Sequence, residues 1–115
     1  MESILTSIKT MLGPGAEYGS FDPELIMHIN SVFSDLHQLG VGPADGFFIE
    51  DESAVWTDYI TDMKKLQSVK TYIYLRVKLI FDNSTLGGSV ISSMERQIKE
   101  FEWRLNAAVD PSQSG

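Results

Sequence analysis

Residues 21–47 read FDPELIMHINSVFSDLHQLGVGPADGF. Leu25, Ile26, Ile29, Val32, Phe33, Leu36 and Leu39 recur at helical spacing and mark the apolar face of a single long helix. Asp22 is placed to cap the amino end, and Pro23 suits the first helical position, where no backbone donor is needed. Gly40 can take the left-handed conformation that stops a helix, and Gly42-Pro43 keeps it from resuming. The stretch shows how the domain is built and contains no recognisable catalytic group.

Working outward, residues 1–12 (MESILTSIKTML) carry Ile4, Leu5, Ile8, Met11 and Leu12 on one side of a short amphipathic helix. Gly13-Pro14-Gly15 breaks it, and a flexible connector is expected through residue 20. Beyond the long helix, a loop runs from 40 to about 51, with Phe47, Phe48 and Ile49 as an apolar clip inside it. Asp51 or Ser53 is positioned to cap a third helix carrying Val55, Trp56, Tyr59, Ile60 and Met63.

Residues 65–82 admit two readings. TYIYLRVKLIF is rich in aromatic and β-branched residues, as a buried strand would be. Leu66, Val69, Ile73, Val77 and Ile80 nevertheless hold helical spacing over more residues than most strands contain. Tyr72, Leu75 and Leu79 add a second stripe, as expected of a central helix covered on two sides. The spacing decides for helix. A turn at 83–88 leads to a last helix over 89–108, where Ile91, Met94, Ile98, Phe101, Leu105 and Ala108 form a coiled-coil-like seam. Glu95–Lys99 and Glu100–Arg104 are favourable pairs one turn apart on it. The expected fold is all-α: a small bundle of four to five helices with a long loop after the second, spanning 1–108, and a flexible tail over 109–115.

The chain has 115 residues, enough for one domain with a core that needs no staple. It has no cysteine, which excludes a disulfide framework, a thiolate zinc site and a cysteine nucleophile, and fits a reducing compartment. The amino terminus shows no basic leader, and the apolar run at 72–81 contains Arg76 and Lys78, so neither secretion nor a membrane span is expected. With 16 acidic residues against 9 basic ones, the formal charge is −7 and the sequence contains no basic run. Tight binding to nucleic-acid phosphates by this chain alone is not expected.

Catalytic and metal-binding patterns fail on spacing. His28 and His37 lie nine residues apart, on nearly opposite sides of the long helix, and read as surface histidines. Asp45, Glu50, Asp51 and Glu52 do not fit a calcium loop, because Phe47, Phe48 and Ile49 occupy ligand positions. They read as a solvated loop with capping carboxylates. Neither Gly13-Pro14-Gly15 nor Gly87-Gly88 has a phosphate-loop lysine, and no serine sits in a nucleophile elbow. An enzyme reading has no residues to stand on, and no cofactor is implied.

Residues suited to contact remain. Trp103 lies roughly opposite the seam of the last helix, so it either packs on the amino-terminal helix or meets a partner. Arg104 beside it can pair with Glu100 or with a carboxylate across an interface. Arg76 and Lys78 need a carboxylate from a neighbouring subunit or from Asp58 or Asp62, unless their stems reach solvent.

The order of helices, the QLGVGP turn at 38–43 and EWRLN at 102–106 resemble the small head–tail connector proteins of tailed bacteriophages and prophages, also called head-completion or adaptor proteins. The resemblance covers about residues 1–108 and implies an all-helical virion protein made in the host cytoplasm. It implies a ring of on the order of a dozen copies beneath the portal, following cyclic symmetry. Such a ring would extend the DNA channel and dock the next neck or tail component, and the free chain would remain a monomer until the portal templates it. On this reading Gln38, Gly40, Val41, Gly42, Pro43, Phe47, Phe48, Arg76, Trp103 and Arg104 are interface candidates. Glu50, Asp51, Glu52, Asp58 and Asp62 are candidates for an acidic channel lining past which DNA slides without specific binding. Residues 13–20, 40–48 and 109–115 are expected to order on assembly. The rival is a small acidic helical regulatory or adaptor protein that binds another protein.

Overall fold

A computed structural model describes residues 2–13, 21–81 and 86–109. The connector over 14–20, residues 83–85 of the turn at 83–88 and the tail over 110–115 lie outside the described residues. Five helices follow one another: α1 (Ile4–Leu12), α2 (Asp22–Gln38), α3 (Trp56–Tyr59), α4 (Met63–Phe81) and α5 (Gly88–Val109). The all-helical bundle and the long gap after α2 are as the sequence indicates.

The ambiguous segment is helical throughout and central. α1, α2 and α5 all pack on α4. Its two stripes explain this position: Leu66, Val69, Ile73 and Val77 are buried, and so are Tyr72 and Leu75. Coverage from more than one side outweighs the strand propensity of its β-branched residues. Ile80 departs from the expected stripe and is exposed near the end of the helix.

Leu25, Ile29, Val32, Phe33 and Leu36 supply the buried face of α2. Asp22 does not cap it. Phe21 holds the cap position, Asp22 lies within the first turn, and its carboxylate sits 2.9 Å from Lys9 Nζ on α1. The carboxyl end closes as the glycine signal requires. Gly40 has φ +86°, its N–H donates to the His37 carbonyl at 3.0 Å, and the Val41 N–H donates to Leu36 at 2.9 Å. This is a Schellman closure, with Val41 and Leu36 buried together as its apolar contact.

The third helix is shorter than its sequence pattern. Val55 is drawn into an antiparallel bridge with Ser3, and Ile60 is extended. Asp58, not Asp51 or Ser53, serves the amino end of α3 by accepting the Val55 N–H at 3.0 Å. Asp62 then starts α4, accepting the N–H groups of Lys64 and Lys65 at 3.0 and 3.3 Å. Two capping carboxylates in succession divide one expected helix, and Met63 falls to α4. Trp56 ties this corner together: its Nε1–H donates to the buried Ser7 Oγ at 2.9 Å, and Lys70 Nζ lies 5.2 Å from the ring centroid.

Candidate interaction surface

The loop after α2 is built from the inside. Gly42 has φ +93° and lies flat against Tyr59, where an added Cβ would come within 2.5 Å of the ring. Phe47 packs edge-to-face on Phe33 and at a tilt on Tyr59, each with ring centroids 5.0 Å away. The Asn30 side chain then binds Ile49 on both backbone groups, accepting its N–H at 2.7 Å and donating to its carbonyl at 2.9 Å. Residues 42, 47 and 49 thus tie this loop to α2 and α3 within the chain. Val41 is buried and Phe47 half-buried, leaving Gln38, Gly40, Gly42 and Phe48 exposed and Pro43 partly so. Phe48 alone among them is a large exposed apolar side chain, at 65 %.

Arg76 has its partners inside the chain, and they are neither Asp58 nor Asp62. Its guanidinium donates to Asp35 Oδ2 on α2 at 2.6 Å and to the Tyr72 hydroxyl at 2.6 Å. Tyr72 in turn donates to Glu102 Oε2 on α5 at 2.8 Å. A polar chain thus fastens α2, α4 and α5 across the core edge. Burial, together with the bond to Glu102, pushes the Tyr72 phenol up to about 12. Burial alone pulls Arg76 down, yet the bonds to Asp35 and Tyr72 outweigh it and raise the guanidinium.

The acidic candidates separate into two groups. Asp58 and Asp62 are exposed but engaged at helix amino ends. Asp51 accepts the Ser53 N–H at 2.8 Å and its hydroxyl at 2.5 Å, which lowers its carboxyl. Glu50 and Glu52 on either side are exposed, without a hydrogen bond or ion pair among the described residues.

Trp103 does not pack on the amino-terminal helix. It is 73 % exposed, on the opposite side of α5 from buried Met94, Ile98 and Leu105. Arg104 lies with Cζ 4.8 Å from the centroid of the Phe101 ring. Arg96, Lys99, Glu100, Trp103 and Arg104 share one helix face and line an open groove of about 530 Å³. A second groove of about 480 Å³ meets it at Arg104 and adds Lys64 and Lys65 from the start of α4. The sequence shows no basic run, but folding gathers these cations on one side. The spacing of 96, 99, 103 and 104 was a legible signal for this face; the approach of Lys64 and Lys65 was not.

Among the described residues no three His, Asp or Glu side chains are grouped to hold a metal ion, and no helix is long and apolar enough to cross a membrane.

The two stretches most specific to the resemblance meet. The Asn106 side-chain amide of EWRLN donates to the carbonyl of Leu39, inside QLGVGP, at 3.2 Å. Within EWRLN, Glu102, Leu105 and Asn106 hold the fold, while Trp103 and Arg104 face outward. Residues 4–112 match the family described as Phage connector protein. The chain belongs to that family. Its role is that of a structural connector in the virion, not an enzyme, and it binds other head or tail components. No curated protein and no solved structure matches the chain.

Proposed function

We propose that the chain is the head–tail adaptor that assembles as a ring beneath the portal vertex, extends the DNA channel and presents a landing surface for the next neck or tail component. Family membership over residues 4–112 is the observation that carries this reading. The chain is made in the host cytoplasm, stays monomeric until the portal arrays its copies, and ends in the neck of the virion. Portal symmetry sets the copy number at on the order of a dozen.

Net charge supports the passage of DNA. A channel that gripped phosphates would oppose sliding, and a subunit of charge −7 repels them. The ring leaves DNA unbound in any sequence-specific sense, since no helix is both basic and free to enter a groove. The test is electron microscopy of purified portal mixed with the chain. An added ring on one face of the portal is expected. A portal that remains bare at micromolar chain concentrations refutes the reading.

A further inference from the structure

Five of the chain's cations gather on the α4–α5 surface. Of the 9 Lys and Arg residues, Lys9, Lys70 and Arg76 have carboxylate partners within the chain, and Lys78 also has an interaction. The other five, Lys64, Lys65, Arg96, Lys99 and Arg104, have no carboxylate partner among the described residues. All five line the two grooves that meet at Arg104. These five cations therefore line two adjoining grooves on an acidic protein, one holding exposed Trp103 with Glu100 and the other Asp62.

We propose that this groove receives residues 48–52 of a second copy of the chain, so that each copy in a ring offers α5 to one neighbour and its acidic segment to the other. The inference rests on the ring assembly proposed above and names its subunit boundary.

The segment fits the groove in chemistry. Phe48 is 65 % exposed, and Glu50 and Glu52 follow it with free carboxylates. An aromatic ring can lie against Trp103 while the two carboxylates reach Arg96, Lys99 or Arg104. The segment is also held to the body of the chain by Asn30 at Ile49 and shaped by the Asp51–Ser53 turn. Such ties lower the ordering entropy lost on contact.

The arrangement suits a ring. A patch that pairs with itself closes a dimer, whereas two different complementary patches on one chain make a head-to-tail contact that continues around a circle. Groove and segment belong to different elements, α4–α5 and the loop before α3. A groove lined by so few side chains falls short of the roughly 20–30 residues a side of a free-standing interface. Copies held side by side on a portal gain the effective concentration that the contact alone lacks. DNA phosphate is the competing occupant; Glu100 stands among the groove cations and opposes either anion, so the preference for residues 48–52 rests on exposed Phe48, whose ring can lie on Trp103 as a phosphate cannot. Placing Glu50 and Glu52 at the boundary also removes them from the channel lining, so the repulsion of DNA rests on net charge.

The test uses portal-templated rings of the full chain. Arg96→Glu with Lys99→Glu, or Glu50→Lys with Glu52→Lys, should raise the concentration that half-saturates the portal by about tenfold or more. All four substitutions in one chain should bring it back to within about threefold of the unaltered value. These positions are exposed, and unchanged circular dichroism verifies the fold. The chain has no cysteine, so Lys99→Cys with Glu52→Cys supplies the only thiols. Oxidation should give a ladder of covalent multimers on the portal. A ring from the unaltered chain with no ladder, or undiminished assembly of both reversed variants, overturns this inference and leaves the adaptor reading standing. DNA retention lost in the Arg96/Lys99 variant with ring assembly intact would give the groove to phosphate and overturn it too. A bare portal with the unaltered chain defeats both.

Discussion

Replacing Asp35 by alanine separates two roles for Arg76. The pair spans α2 and α4 at 2.6 Å, with side chains 21 % and 44 % exposed. Breaking a dry ion pair from one side costs about 3–5 kcal/mol, and an exposed pair is worth about 0–1 kcal/mol. Partial exposure places this one between, at about 1.5 kcal/mol. Arg76 keeps its bond to Tyr72 in the variant, which holds the loss below the buried limit. At about 4 °C per kcal/mol for a chain of this length, the melting temperature should fall by about 6 °C. Arg76→Met should cost a similar amount, and the double variant should lose about 1 kcal/mol less than the sum, since the two changes remove one shared contact. Urea unfolding of the four species, followed by circular dichroism, measures all of these terms. If Asp35→Ala leaves the free chain within about 0.5 kcal/mol of its original stability, the internal role assigned to Arg76 is refuted.

Gly42→Ala should destabilise the chain by at least about 2 kcal/mol, because a Cβ there strains a positive φ and meets Tyr59 at 2.5 Å; thermal unfolding reads this directly. Asn30→Ala strips both backbone partners from buried Ile49 and should cost about 2 kcal/mol. Hydrogen exchange should then speed at the Ile49 amide well before it does in α4. Of the four tyrosines, Tyr59 and Tyr72 should ionise late, since burial raises both phenols. Each unfolded phenol loses its proton near pH 10, before its folded counterpart, so their contribution is intact below that pH and is lost as pH rises toward about 12. Absorbance of phenolate against pH, taken beside the unfolding midpoint, checks both parts; four phenols titrating together near 10 would contradict it.

What the sequence made legible was local. Leu25 to Leu36 repeat at helical spacing, and Gly40 announces its own left-handed turn, so α2 and its closure could be read without a partner in view. The double stripe on α4 likewise disclosed a helix covered from more than one side. Several of the departures involve residues decided from afar. Val55 leaves the third helix because Ser3, near the other end of the domain, bridges it. Arg76 finds Asp35 at a separation of 41 residues, whereas the carboxylates nearer in sequence, Asp58 and Asp62, are taken by helix amino ends. Part of the basic face was hidden for the same reason: residues 96, 99, 103 and 104 share a helical spacing, but Lys64 and Lys65 reach Arg104 only when α5 folds back along α4.

EWRLN shows how one helical stretch can hold the fold and, on the assembly proposed above, also meet a neighbour. Successive residues of a helix point about 100° apart, so five in a row must visit both the core side and the solvent side. Glu102 reaches Tyr72, and Asn106 reaches the carbonyl that ends α2. Trp103 and Arg104, one step away, cannot turn inward without unwinding the helix. The inner residues thereby fix the rotation of α5 about its axis, and that rotation aims the outer pair. A substitution at Asn106 or Glu102 would then disturb stability and assembly together, whereas one at Trp103 would touch assembly alone. Measuring unfolding and portal occupancy on the same variants separates these two faces. Trp103→Ala that unfolds the free chain would show that the outer face is not free to serve a neighbour.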